Sequence, residues 1–259
     1  MSSEHYIVYA VEGPVAVVTY DRPHRRNAWD AGMYRAIHAA IERANADAAI
    51  GAILIAATGP VFCAGVDLKA PPEPRDPATG KRPNMATLSM AEGDNWLTLI
   101  ARSKPVVAAI QGPAIGAGVT QILPFDLRIG GASSTYSFPF VKLGTMPELG
   151  ATALLPQLIG YGRALDLCLN AATIDAHEAA RIGLIARVVA DADLHAEALA
   201  TATRIAGFDR DAVRITKAMF EGNRGETDAD RLLARERDGF IERIRLRRAE
   251  QANLGATNG

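Results

Sequence analysis

Residues 6–11 and 15–20 are two short runs rich in Val, Tyr, Ile and Ala, separated by Glu12-Gly13-Pro14, and the pattern predicts a β-hairpin at the start of the chain. From Asp30 onward Met33, Ile37, Ala40, Ile41 and Ala44 recur at helical spacing, with Asp30 placed to accept the first free amides as an N-cap. The apolar run 51–58 is too short for a typical helix and predicts a buried strand. A further strand over 106–110 leads through a turn at Gly112 into a helix that begins near Gly116. Short strands alternating with helices imply an α/β body, a sheet covered by helices.

After Gly150 the strand signals fade, and 154–159, 164–171, 176–182, 194–205 and 212–220 read as helices. A long amphipathic helix over 228–252 closes the chain. Within 231–248 seven arginines stand against Glu236, Asp238 and Glu242, a net of +4, which reads first as a solvated, ion-paired face. A phosphate or a neighbouring subunit is the sharper alternative for the same run. The stretch 71–84, PPEPRDPATGKRPN, can continue neither a helix nor a central strand and predicts a mobile surface insertion.

With 49% hydrophobic and 22% charged residues over 259 positions, the chain has the balance of one globular core rather than of a disordered or fibrous protein. A formal charge of −1 gives no overall pull towards nucleic acid or an anionic membrane, so neither is expected as a partner. The apolar stretch 105–125 is interrupted by Pro105, Gly112, Pro113, Gly116, Gly118 and Pro124, which argues against a spanning helix. Two cysteines, Cys63 and Cys168, cannot make a disulfide scaffold or a zinc cluster, and no secretory signal is visible, so a cytoplasmic location is expected.

Several chemistries fail on spacing. His177-Glu178 starts like a zinc-protease helix, but position 181 is Arg rather than the second His, and no metal site is expected. The chain has no G-x-S-x-G elbow, and Gly116-Ala117-Gly118 completes neither a dinucleotide nor a Walker fingerprint. Two segments remain that are suited to presenting backbone amides, Phe62-Cys63-Ala64-Gly65-Val66-Asp67-Leu68-Lys69 and Gly112-Pro113-Ala114-Ile115-Gly116-Ala117-Gly118. Two such amides converging on one point would stabilise a developing enolate oxygen.

Those two turns, with Arg22-Pro23-His24-Arg25-Arg26-Asn27-Ala28, the Phe125-Asp126 pair, PFVKLGTMPELGATALLP and Ala179-Ala180-Arg181-Ile182-Gly183-Leu184-Ile185, stand in the order and spacing of the enoyl-CoA hydratase/isomerase (crotonase) superfamily, which the chain resembles over residues 6–250. The resemblance implies a spiral of ββα units over residues 1–200, carrying the CoA-ester site, and a C-terminal helical oligomerisation region over 201–259. It implies homotrimers or hexamers and acyl-CoA thioester substrates, with coenzyme A arriving as part of the substrate and no permanently bound cofactor. The oxyanion amides fall on Val66 and Ala117, and the CoA contacts fall near Arg26, Ala28, Ala64 and Asp67. Lys217 and the C-terminal arginines are further basic candidates. The insertion 71–84 sits where family members carry a segment over the acyl pocket.

The two glutamates of the hydratases correspond to Thr120 and Phe140 here, both placed along the acyl pocket. Hydration needs one group to activate water and another to protonate C2, so their loss counts against it. What remains is Glu148, in a position resembling the peroxisomal-type Δ3,Δ2-enoyl-CoA isomerases. The expected activity is therefore Δ3,Δ2-enoyl-CoA isomerisation with Glu148 as a single proton shuttle. A hydratase or another crotonase-type lyase or hydrolase is one alternative, and a non-catalytic acyl-CoA binding protein is the other. By residue type alone Glu148 would read as a helix-start carboxylate.

Overall fold

A computed structural model describes residues 5–75, 77, 80, 82, 85–89 and 91–257. Strands β1 (Ile7–Glu12) and β2 (Val15–Tyr20) form the expected antiparallel hairpin, turning at Gly13 with a left-handed φ of 57°. Helix α1 (Ala31–Ala46) follows, and the Asp30 carboxylate caps it by accepting the Met33 amide at 2.8 Å. Strand β3 (Ala52–Ala57) is the predicted buried strand. The short α2 (Met85–Ser89) and the α3 helix (Trp96–Arg102), which opens with an Asn95–Thr98 capping box, lead to β4 (Val106–Ile110).

The Gly112 turn contains a strand of its own, β5 (Pro113–Ile115), before α4 (Ala117–Thr120). Then come β6 (Leu127–Gly131), β7 (Thr135–Ser137), α5 (Ala151–Ile159), α6 (Tyr161–Leu169), β8 (Thr173–Asp175), α7 (Ala176–Arg181) and β9 (Arg187–Val189). The chain ends in α8 (Leu194–Ala206), α9 (Arg210–Asn223) and α10 (Ala229–Thr257). One sheet runs β1-β2-β3-β4-β6-β9, parallel from β2 onward, and a second runs β5-β7-β8. β8 and β9 correct the all-helical reading of the region after Gly150: three residues are too few to show an alternation.

Period-two alternation along β2, β3 and β4 divides the interior into two cores. Ala16, Val18, Ile53, Ile55, Val106 and Ala108 face the larger one, with α1, α3 and the second sheet, while Val17, Leu54, Val107 and Ala109 face α8. Trp29 and Trp96 meet edge-on at 5.0 Å in the larger core, and Trp96 Nε1 donates to the Gln121 carbonyl at 2.8 Å, tying α3 to the end of α4. The expected boundary at 200/201 falls inside α8, which packs on the sheet, so the helical extension proper is α9 with α10.

On α10 the apolar residues divide between two sides rather than forming one stripe. Leu232 and Leu246 are half-buried, Gly239 lies against Met219 and Ile215 of α9, and Leu233 and Phe240 are exposed. Four of the arginines of that helix are ion-paired, Arg231 with Asp228, Arg235 with Glu226, Arg237 with Asp238 and Arg243 with Asp209, while α9 contributes Arg214 against Glu242. Of the insertion 71–84, positions 76, 78, 79, 81, 83 and 84 lie outside the described residues; Glu73 is tied to α1 through Arg35 at 2.6 Å. Among the described residues no helix is long and apolar enough to cross a membrane.

Candidate active site

The two amide-presenting turns are in contact. Cys63 forms a parallel bridge with Ala114, in which the Ile115 amide donates to the Cys63 carbonyl at 2.9 Å. Trp29 bridges Val66 in the same way, its amide donating to Gly65 O at 2.7 Å and its carbonyl accepting the Asp67 amide at 2.8 Å. Gly65 takes φ 91°, and a Cβ there would lie 2.7 Å from the Ile115 carbonyl oxygen and 3.5 Å from the Ala117 nitrogen. A Cβ on Gly118 would overlap the Cys63 carbonyl oxygen. The closeness of the turns therefore depends on those two missing side chains.

Neighbouring amides in these turns are paired: Ala64 N–H donates to Arg26 O at 3.0 Å and Gly116 N–H to Ser137 O at 3.0 Å. Among the described residues the Val66 and Ala117 N–H groups have no protein partner. Ala117 is buried and Val66 half-buried, and buried backbone donors are almost always paired, so two open ones at one junction form a place for an acceptor oxygen.

The loop that leaves β7 carries the candidate carboxylate. It starts beside the 112–118 turn, because the Ser137 carbonyl holds the Gly116 amide and a Cβ on Gly116 would lie 4.0 Å from the Phe140 ring. Glu148 is half-buried, and among the described residues its carboxylate has neither hydrogen bond nor ion pair. Burial pushes its pKa above the ordinary 4.5. Leu149, next to it, is buried with φ 55°, a left-handed conformation unfavourable for a branched side chain, and Gly150 follows at φ 75° against Leu97. Gly150 occupies the N-cap of α5 and Glu148 stands outside the helix, with no capping bond from its side chain.

Thr120 and Phe140, at the two hydratase carboxylate positions, are both buried, and the Thr120 hydroxyl has no hydrogen-bond partner. The Cys63 thiol is wholly buried and raised to about 12 by that burial, which suits a filler rather than a nucleophile. Arg26 is exposed and takes φ 54°, and Ala28 is buried with its carbonyl bonded to Arg22. Asp67 pairs with Arg22 at 3.0 Å, so its carboxylate is directed inward. Lys217 is also turned inward: its ammonium donates to Asp126 at 2.8 Å and its side chain is 8% exposed, so it is not a free surface charge. Among the described residues no three His, Cys, Asp or Glu side chains gather as a metal ligand set.

Sequence reasoning passed over Arg22 and Asn27. Asn27 is wholly buried at φ 53°, and its amide donates to the Thr58 and Val61 carbonyls, each at 2.9 Å, anchoring the 22–28 turn to the end of β3. The signal available was the polar run His24-Arg25-Arg26-Asn27, which follows β2 after only Asp21-Arg22-Pro23.

A family model described as enoyl-CoA hydratase/isomerase matches residues 10–245, nearly the whole described chain. The chain belongs to the enoyl-CoA hydratase/isomerase family. A probable enoyl-CoA hydratase of Mycobacterium leprae (strain TN) is 35% identical over 225 residues, covering 85% of this chain and 82% of that protein. A probable enoyl-CoA hydratase of Rhizobium meliloti (strain 1021) is 33% identical over 223 residues, with 84% and 81% covered. The crystal structure of a probable enoyl-CoA hydratase/isomerase from Mycobacterium abscessus superposes with a TM-score of 0.81 at 29% identity, covering 93% of this chain and 91% of that one. The expected mixed α/β crotonase fold with its C-terminal helices is thereby shown. In enoyl-CoA hydratase/isomerase terms, the two open amides lie in the segments that the motif order assigned to the oxyanion site.

Proposed function

We propose that the protein is a Δ3,Δ2-enoyl-CoA isomerase. The observation that carries this reading is the partnerless, half-buried carboxylate of Glu148, in a chain whose two hydratase carboxylate positions hold Thr120 and Phe140. Glu148 takes a proton from C2, the C2–H electrons shift into a dienolate, and the Val66 and Ala117 amides hold the charge on the thioester oxygen. The proton returns from Glu148 to C4 as the double bond moves between C2 and C3. One carboxylate suffices because the reaction gains and loses nothing. The motif similarity to the peroxisomal-type isomerases points the same way. The backbone at Arg26, Ala28, Ala64 and Asp67 supports the coenzyme A portion of the thioester, with no resident cofactor in the cycle.

The test is to incubate the protein with 3-enoyl-CoA and 2-enoyl-CoA of several chain lengths and to follow mass and retention. Conversion of the 3-enoyl to the 2-enoyl ester without mass gain is the expected result. Gain of one water overturns it in favour of a hydratase. Tight binding without any product leaves a binding protein.

A raised carboxyl pKa sets the direction of the pH profile. Glu148 must be ionised to act as base, so kcat/KM rises with pH through an apparent pKa above 4.5 and then levels. An acid limb at or below the ordinary glutamate value in the rate profile would contradict this.

Hydration is favoured by one observation besides the relatives' names, the Thr120 hydroxyl, which is buried without a partner and could hold a water. Thr120→Val separates the two readings. Under isomerisation it leaves turnover intact and, by removing an unsatisfied buried hydroxyl, raises stability by ~1 kcal/mol in a urea melt. Loss of a water-adding activity in this variant would support the hydratase.

Self-association into trimers or hexamers belongs to the same proposal. It is supported by Phe208, Phe220 and Phe240, which stand exposed on or beside α9 and α10. Light scattering is expected to read three or six chain masses, and a single chain mass contradicts it.

A further inference from the structure

Arg22 is 2% exposed, although it lies at the rim of the candidate site rather than in the middle of a core. Among the described residues its guanidinium reaches the Ala28 carbonyl, Asp30 and Asp67, on two segments. Nη1 donates to the Ala28 carbonyl and to Asp67 Oδ2, each at 3.0 Å, and Nη2 lies 2.9 Å from Asp30 Oδ2. The Tyr6 ring covers it, with the guanidinium carbon 5.5 Å from the ring centroid. Its own backbone is fixed as well, since Arg22 N–H donates to Asn27 Oδ1 at 2.8 Å. Asp67 is held twice more, its amide by Trp29 O at 2.8 Å and its Oδ1 by the Lys69 amide at 3.0 Å.

Asp67 directly follows Val66, whose N–H is one of the two open donors, and Ala28 belongs to the turn that lies alongside Ala64. A single planar fork thus grips the residue after one proposed oxyanion donor and the neighbouring 28–30 segment to which that donor is bridged. Gly65, which gives the turn its shape, also leaves it free to relax, so something else must hold it when charge develops on the ligand. Backbone donors stabilise an oxyanion only if already in place, and a misplacement of ~1 Å can lower a rate ~100-fold.

We propose that Arg22 is a positioning residue for the oxyanion site, fixing the Val66 amide through Asp67 and through the Ala28 carbonyl. This rests on the enolate-stabilising reading given above. Arg22 touches no reacting atom. It acts by making the 64–67 turn and the 26–29 segment one rigid unit. Lysine cannot replace it, because one ammonium cannot span Ala28, Asp67 and Asp30 with the same fork.

The test compares the parent with Arg22→Lys and Asp67→Asn on the full chain. The readouts are kcat and KM for the turned-over 3-enoyl-CoA, the ultraviolet enolate band of bound acetoacetyl-CoA, and the thermal melt. Both variants are expected to lose ~10- to 100-fold in kcat with KM within about threefold, and to weaken the enolate band. The double variant is expected to be no worse than the poorer single one, because the two residues act as one contact. Asp126→Asn, which weakens the half-buried pair with Lys217 at the end of β4 away from the Gly112 turn, supplies the contrast: a lower melting temperature with kcat and the enolate band unchanged.

If Arg22→Lys does not fold, Asp67→Asn decides alone, since it keeps the side-chain shape. Variants that melt earlier yet keep the parent's kcat and enolate band overturn the assignment and leave Arg22 a purely structural cation. A parent that shows no enolate band overturns the oxyanion reading itself, and the positioning role with it.

Discussion

Glu148→Gln is expected to lower isomerisation by ~1,000-fold or more while leaving acyl-CoA binding within a few-fold, because in the proposed shuttle both proton transfers pass through this one carboxylate and general acid–base groups each contribute ~100- to 10,000-fold. The substitution keeps the shape of the side chain and removes only its ability to carry the proton. Stability should move in the opposite direction to activity. The folded pKa of Glu148 lies above its unfolded value, so between the two the folded state binds more protons than the unfolded one. Stability contributed by the neutral acid is therefore lost as pH rises through the folded pKa, and the ionised side chain is a burden at neutral pH. The glutamine variant should melt no lower than the parent at pH 7 and show no advantage below the ordinary glutamate pKa. Full turnover in Glu148→Gln would remove this residue from the mechanism.

Gly65→Ala should be nearly as damaging, by a different route. The alanine would hold a left-handed φ of 91° and push its methyl to within 2.7 Å of the Ile115 carbonyl oxygen, so the 64–67 turn and the start of α4 must separate. Loss of one oxyanion donor typically lowers kcat ~100- to 1,000-fold, and that is the expected loss here, with KM changed much less. The effect should also appear as a weaker enolate band on acetoacetyl-CoA. A variant that melts like the parent and keeps its kcat would show that the gap between Gly65 and Ala117 does not serve catalysis.

Reading the residues in order recovers the elements whose side chains repeat. Val15–Tyr20 alternates between two cores, and both the Asp30 cap and the spacing from Met33 to Ala44 foretell α1. What was not legible is short or depends on distant partners. β5, β8 and β9 have three residues each, and their pairing comes from neighbours far along the chain. On α10 the apolar residues suggested a single face, whereas packing against α9 uses Gly239 and leaves Phe240 exposed. Lys217 and Arg22 were beyond a sequence reading for a common reason: a charge shows its burial only once the carboxylate that meets it, Asp126 or Asp67, is known.

Within the site, the glycines of the two turns were visible because left-handed or crowded backbone demands them. The fitness of Glu148 was not visible in the same way. Its half-buried, partnerless state arises from a loop that begins at β7 and ends in the constrained pair Leu149-Gly150, and no local pattern encodes that.

The proposed oxyanion donors are main-chain groups, and their geometry is specified by Gly65, Gly116, Gly118 and a pair of parallel bridges rather than by any side chain that does chemistry. Placement of the charge-stabilising apparatus and choice of reaction are thereby inherited separately. Exchanging a side chain at position 120, 140 or 148 leaves the amides where they are, so a lineage can change what it does to a thioester through one or two codon changes without first rebuilding its scaffold.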